Sequence, residues 1–116
     1  MGNVVRGTVR FFEEVDVPSG ARLYVRLLDV TFTDAPSRTV AEQVLTLARG
    51  RAGERRLAFS LELETIDSHR TYIVSAHADL DGDGSISRGD WMTMESYPVL
   101  TFGNADRVDV IVKRVP

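Results

Sequence analysis

The chain has 116 residues, the size of one domain with a single core, and its 43% hydrophobic and 27% charged content excludes wholesale disorder. It has no cysteine, which removes disulfides, thiolate metal sites, a cysteine nucleophile and a lipid-anchor cysteine; with only His69 and His77, a histidine-rich transition-metal site is excluded as well. The formal charge of −3 is local: residues 79–90 hold four Asp and one Arg, while elsewhere acidic and basic residues balance at 13 each, leaving no basic surplus for nucleic acid.

In chain order, "NVVRGTVRFFEEV" (3–15) is rich in β-branched and aromatic residues and ends at the turn cluster "DVPSG" (16–20), so it reads as a strand. Residues 21–33 alternate, with Leu23, Val25 and Leu27 on one face and Tyr24 and Arg26 on the other, and the turn "DAPS" (34–37) follows. Residues 38–48 fit helix or strand by propensity; their Thr, Val and Leu content, followed by Gly50 and Gly53, decides for strand.

The cleanest alternation is "RRLAFSLELET" (55–65), where Leu57, Phe59, Leu61 and Leu63 oppose Ala58, Ser60, Glu62 and Glu64. Further strands are expected over 70–78, 91–102 and 107–115. Alternating faces favour antiparallel pairing, because a sheet buried on both faces needs continuous apolar runs. The sum is an all-β chain, a single antiparallel β-sandwich domain of about seven strands spanning 1–116. No apolar run is long enough to span a bilayer as a helix. The opening "MGNVVRGTVRFF" lacks the apolar region of a secretory signal, which leaves open a cytosolic protein or a mature exported form.

One segment departs from the strand grammar. "DLDGDGSISRGD" (79–90) matches the calcium loop of an EF-hand, which offers about six to eight oxygens from positions 1, 3, 5, 7, 9 and 12. Asp79, Asp81 and Asp83 fall at 1, 3 and 5, and Gly84 at the sharp turn. Ser85 offers its carbonyl at 7, Ile86 ties the loop to the core, Ser87 stands at 9 and Asp90 at 12. Asp90 is one methylene shorter than the usual Glu, which favours monodentate binding and brings Mg2+ into competition with Ca2+. The plainer reading is a polar hairpin turn, since Asp-Gly is a favoured turn pair. A turn, however, has no need of alternate carboxylates or of a fourth at position 12. Strands flank the loop on both sides, so a sensor's helix lever is missing, and the expected role is to staple an inter-strand connection by binding the folded state.

Other candidates are weaker. His69 and His77 are expected as exposed polar residues, with His77 close enough in sequence to touch the loop's surroundings. Glu13, Glu14 and Asp16 read as a solvated turn, and Trp91 as a packing anchor in preference to a sugar-stacking platform. No phosphate loop, hydrolase serine motif or metalloprotease motif occurs.

Several segments together resemble the YbaY/YscW-type lipoprotein family. They are Gly7-Thr8-Val9, Pro18 through Val30 ("PSGARLYVRLLDV"), Asp34-Ala35-Pro36 and Ala41-Glu42-Gln43, followed by "FSLELE", "RTYIVSAHAD" and "SYPVLT". The resemblance covers nearly the whole chain. It implies a β-sandwich domain of the bacterial envelope, one branch of which comprises pilotin-like chaperones that help a type III secretion secretin reach the outer membrane. It carries no catalytic residues. Two departures stand out: the lipobox cysteine is missing, and the acidic loop is longer than the turn many members have.

The resulting expectation is a non-catalytic, calcium-binding module of the periplasm or outer membrane that acts by binding an envelope protein. The alternative is a carbohydrate-binding module that uses the ion and Trp91.

Overall fold

The computed structural model describes residues 3–11, 15–17, 20–32, 35–47, 50–52, 55–80, 82 and 85–116. Its strands are β1 (Asn3–Phe11), β2 (Val15–Val17), β3 (Arg22–Asp29), β4 (Arg38–Thr46), β5 (Gly50–Ala52), β6 (Arg55–Leu63), β7 (Tyr72–Asp79), β8 (Trp91–Thr93), β9 (Pro98–Val99) and β10 (Arg107–Arg114). No helix occurs among the described residues. The period-2 reading holds where it was cleanest: in β6 Phe59, Leu61 and Leu63 are buried, while Ala58, Ser60 and Glu62 face solvent. The ambiguous segment 38–48 is strand, as its composition implied.

Two expectations need correction. The strands do not form two packed sheets. One sheet runs β4-β3-β7-β8-β10-β1-β6, with β9 hanging off β7, and β2 and β5 make a separate ribbon. The sheet curls until its edges approach, and the Ser60 amide on edge strand β6 donates to the Gln43 side-chain oxygen on edge strand β4 at 2.8 Å. The result is a nearly closed barrel, which covers one inner face with itself instead of with a second sheet. Strand alternation demands only that one face be buried, so it cannot separate the two solutions.

The pairing is also not wholly antiparallel. The chain's first and last long strands, β1 and β10, lie side by side and parallel, with Arg6 opposite Arg107 and Phe11 opposite Val112. The predicted strand 91–102 is broken in two by a change of register against β7: Trp91 and Met92 pair with Ala78 and His77, whereas Pro98 and Val99 pair with Ile73 and Tyr72, two residues out of step. Tyr97 extends the second pairing, its carbonyl accepting the Val74 amide at 3.0 Å, while its hydroxyl accepts the Ile111 amide at 3.1 Å.

The barrel core is built from Val5, Val9 and Phe11 of β1, Leu23, Val25 and Leu27 of β3, and Val110 and Val112 of β10, all at most 1% exposed. Each such side chain contributes about 1.5–3 kcal/mol by leaving water. Trp91 joins them, its ring tilted at 58° against Phe11 with centroids 5.5 Å apart. Gly7 is what lets β1 and β10 come this close: a Cβ there would sit 1.6 Å from the Val108 carbonyl oxygen.

Gly7→Ala is therefore expected to push β1 and β10 apart and to cost about 3 kcal/mol, the upper end of the usual overpacking range. Urea unfolding measures this; a variant as stable as the parent would show that the approach at Val108 is not a constraint.

Candidate functional site

β7 alternates like the other strands, so Val74, Ala76 and Ala78 point into the barrel and His77 and Asp79 point out of it. Side chains on an outer face are normally wet, yet His77 is 6% exposed and Asp79 1%. The residues after β7 explain this. The chain returns to the outer face at Asp90, itself 1% exposed, which lies against both of them. On the neighbouring strand Tyr24 pairs with His77 in register and its ring stacks on the imidazole, 6.2 Å between centroids, with the Arg26 guanidinium 5.0 Å from the Tyr24 ring. A small polar interior forms outside the main core.

Asp90 organises it. One carboxylate oxygen accepts the Leu80 amide at 3.0 Å. The other accepts the Ser87 amide at 3.1 Å and the Ser87 hydroxyl at 3.2 Å, and lies 2.9 Å from His77 Nε2. The Asp90 main chain is tied down as well: its amide donates to the Ser87 carbonyl at 3.0 Å and its carbonyl accepts the Val115 amide at 2.7 Å. Gly89, with φ of 93°, takes the left-handed turn that lets its own amide reach the Val115 carbonyl at 2.9 Å. At the other end, an Asp79 oxygen accepts the Gly82 amide at 3.1 Å. The loop is thus closed from both ends by carboxylates that accept main-chain N–H groups, the strong charge-assisted kind of hydrogen bond.

Of the six expected ion ligands, the structure brings Asp79, Ser87 and Asp90 together, and Ser85 stands exposed farther along the loop. Asp81 and Asp83, with Gly84 between Asp83 and Ser85, lie outside the described residues, as do Glu13 and Glu14 of the first acidic turn. Ile86 does not anchor the loop in the core; it is 55% exposed.

His69 is exposed as expected, but His77 is not. It belongs to the buried cluster, where one ligand atom from each of His77, Asp79 and Asp90 lies within 4.8 Å of the others. The sequence signal that finds it is its i, i+2 spacing to Asp79 on a strand, which puts both on one face. Trp91 is buried at 4%, so its ring face is turned to Phe11 and away from any sugar; the stacking platform of the alternative reading is removed.

A second group of residues escaped the sequence reading. Phe102 and Phe32 are 71% and 62% exposed, and Ile66 is 36% exposed. Arg70 ties their loops together. Its guanidinium lies 5.6 Å from the Phe32 ring centroid and contacts Asp29 and Asp67, and its carbonyl accepts the Thr101 hydroxyl at 2.6 Å. Asp29 is held below its ordinary carboxyl pKa, first by the Thr31 hydroxyl and also by Arg70. Leu100 and Phe102 both have positive φ, 73° and 56°, a conformation that bulky residues rarely adopt and that often accompanies function.

Comparisons with known proteins follow the same outline. A family model described as type III secretion system lipoprotein chaperone (YscW) matches residues 2–112. The solved structure of an alternative pilotin from the type II secretion system of Vibrio cholerae is similar over 100% of this chain and 99% of its own, with TM-score 0.81 and 26% sequence identity. Among curated proteins no significant match was found.

Replacing Asp90 with Ala is expected to cost about 3–5 kcal/mol, because it leaves buried donors at Leu80, Ser87 and His77 without their acceptor. Amide hydrogen exchange should then speed up at Leu80 and Ser87 before it does in β1 or β3. Uniform protection loss across the barrel would contradict a loop-closing role.

Proposed function

The chain belongs to the type III secretion system lipoprotein chaperone (YscW) family, and from that premise we propose that it is a non-catalytic, pilotin-like binding module of the bacterial envelope whose partner is a secretin. The observation that carries the proposal is the likeness to a pilotin, which covers 100% of this chain and 99% of the other. The envelope is the proposed compartment for the same reason. Binding another protein also fits the barrel end where Phe32, Ile66 and Phe102 are held in water by loops tied through Arg70. A protein keeps large apolar side chains exposed and a bulky residue at positive φ at a cost, and an apolar segment of the partner would offset it.

Ca2+, with Mg2+ as competitor, remains the proposed ligand of the 79–90 loop, in a structural capacity. What supports an ion there is that Asp79 and Asp90, the first and last positions of the loop, meet in a buried setting. Two carboxylates at close range repel, and a divalent cation relieves that repulsion.

The partner reading is tested by loss of the chain in the cell and by mutation of the aromatic end. Without the chain, the secretin is expected to leave the outer-membrane fraction and its multimers to fall; unchanged secretin assembly would sink the proposal. In vitro, Phe32→Ser with Phe102→Asn should weaken binding to the secretin at least about tenfold while stability changes by less than about 0.5 kcal/mol, as exposed positions allow. Asn is chosen at 102 because it tolerates the left-handed backbone.

A further inference from the structure

We propose that His77, Asp79 and Asp90 form a buried site for a first-row divalent transition ion such as Zn2+, held by one imidazole nitrogen and two carboxylates. The inference rests on the reading of the loop as a divalent-ion site and deepens it at the loop's buried end, where the ligand chemistry admits a transition ion.

Three observations carry it. The first is chemical. An EF-hand loop offers calcium oxygens alone, but here the structure puts an imidazole nitrogen 2.9 Å from the oxygen of the loop's last ligand. Imidazole suits Zn2+, Ni2+, Cu2+ or Fe2+ and is a poor ligand for Ca2+ or Mg2+.

The second is geometric. Ligand atoms around a tetrahedral ion at about 2.1 Å stand about 3.4 Å from one another. The His77–Asp90 separation of 2.9 Å is close to that edge, and all three ligand atoms lie within 4.8 Å of one another. An ion can enter with side-chain adjustments of under about 1 Å, and the fixed main chain at Asp90 holds the set in place.

The third is electrostatic. Asp79 and Asp90 are both 1% exposed, so their charges are withdrawn from water. Two carboxylates brought this close together and out of water repel each other, and a divalent cation between them offsets that repulsion.

Entry of the metal replaces the His77–Asp90 hydrogen bond. Nε2 becomes a metal ligand, and the ring keeps a single proton on Nδ1, any second proton passing to solvent. Asp90 can still accept from Leu80 and Ser87 while one of its oxygens turns to the metal, so the loop closure described above survives binding. The hydrogen bonds from Leu80 and Ser87 then orient the ligating carboxylate, as outer partners do at metal sites generally. Water is the usual fourth ligand where a protein offers three.

The experiment uses the full chain, stripped with chelator and titrated separately with Zn2+, Ca2+ and Co2+. Zn2+ is expected to raise the thermal midpoint by several degrees, and Co2+ to develop visible d–d absorption of the intensity given by four- or five-coordinate sites. His77→Gln and Asp79→Asn should each weaken Zn2+ binding at least about 100-fold. His69→Gln should leave it unchanged, since His69 is fully exposed and outside the cluster. Asp81→Asn with Asp83→Asn should also spare Zn2+ binding, whereas an all-oxygen calcium loop depends on both.

Thermal melts of the metal-free variants separate lost binding from lost folding, and the Co2+ spectrum of the unaltered chain needs no variant. A Ca2+-dependent midpoint with Zn2+ and Co2+ silent would overturn the nitrogen-liganded site while leaving the loop as an ion site. No response to any of the three would overturn both. Zn2+ binding that persists in His77→Gln would also defeat the assignment.

Discussion

The pairing of the chain's first and last long strands is the constraint from which the rest of the molecule follows. β1 and β10 lie parallel with no crossover helix among the described residues between them, because the strands in between are occupied in walking the sheet around to meet itself. Their approach depends on Gly7, where the Val108 carbonyl fills the space of a side chain, and a Thr8–Asp109 hydrogen bond of 2.7 Å reinforces it on the surface. Once the two strands are joined, the sheet has only two free edges, β4 and β6, and its curl brings these together. The single inner face that results holds Val5, Val9, Phe11, Val110 and Val112 in one core.

Closing the sheet this way assigns the loops to different tasks. The β7–β8 connection has to return to an adjacent strand, since β7 and β8 pair through His77–Met92 and Ala78–Trp91. A tight turn would suffice for that. The longer chain instead brings Asp90 onto the barrel's outer face and creates a second, polar interior, in which Asp90 is the acceptor that replaces the water its neighbours have lost. The charge concentrated in residues 79–90 is therefore partly internal, and its partners are main-chain amides, a hydroxyl and an imidazole. The loops gathered by Arg70 instead hold Phe32 and Phe102 outward. One region hides polar groups and the other displays apolar ones; each reverses the usual rule of burial, and those reversals are where function is sought.

The type of each main element was legible in the residues. Strand identity follows from alternation and β-branched content, which are local properties, and the inner faces of β3 and β6 could be listed residue by residue for the same reason. The acidic loop could be seen because its spacing is also local. Burial of His77 could not: β-strand alternation puts it on the outer face, and only the return of the chain at Asp90 turns that face into an interior. The anchoring role expected of Ile86 failed because the loop is fastened through Asp90 and Val115 instead, by hydrogen bonds that composition does not announce. The exposed Phe32 and Phe102 read in sequence as ordinary strand hydrophobics.

By itself the sequence determined an all-β chain, the positions of its long strands, the inner-face residues of β3 and β6 and a connection rich in carboxylates, because each of these is set by neighbours a few positions apart. Only the tertiary structure decided that the strands make one curled sheet and not two, that the outermost strands run parallel, and that His77 joins Asp79 and Asp90 in a buried cluster. These depend on contacts between residues up to about a hundred positions apart, such as Thr8 with Asp109. A period of two tells a strand which way its side chains face, but carries no information about which strand will lie beside it.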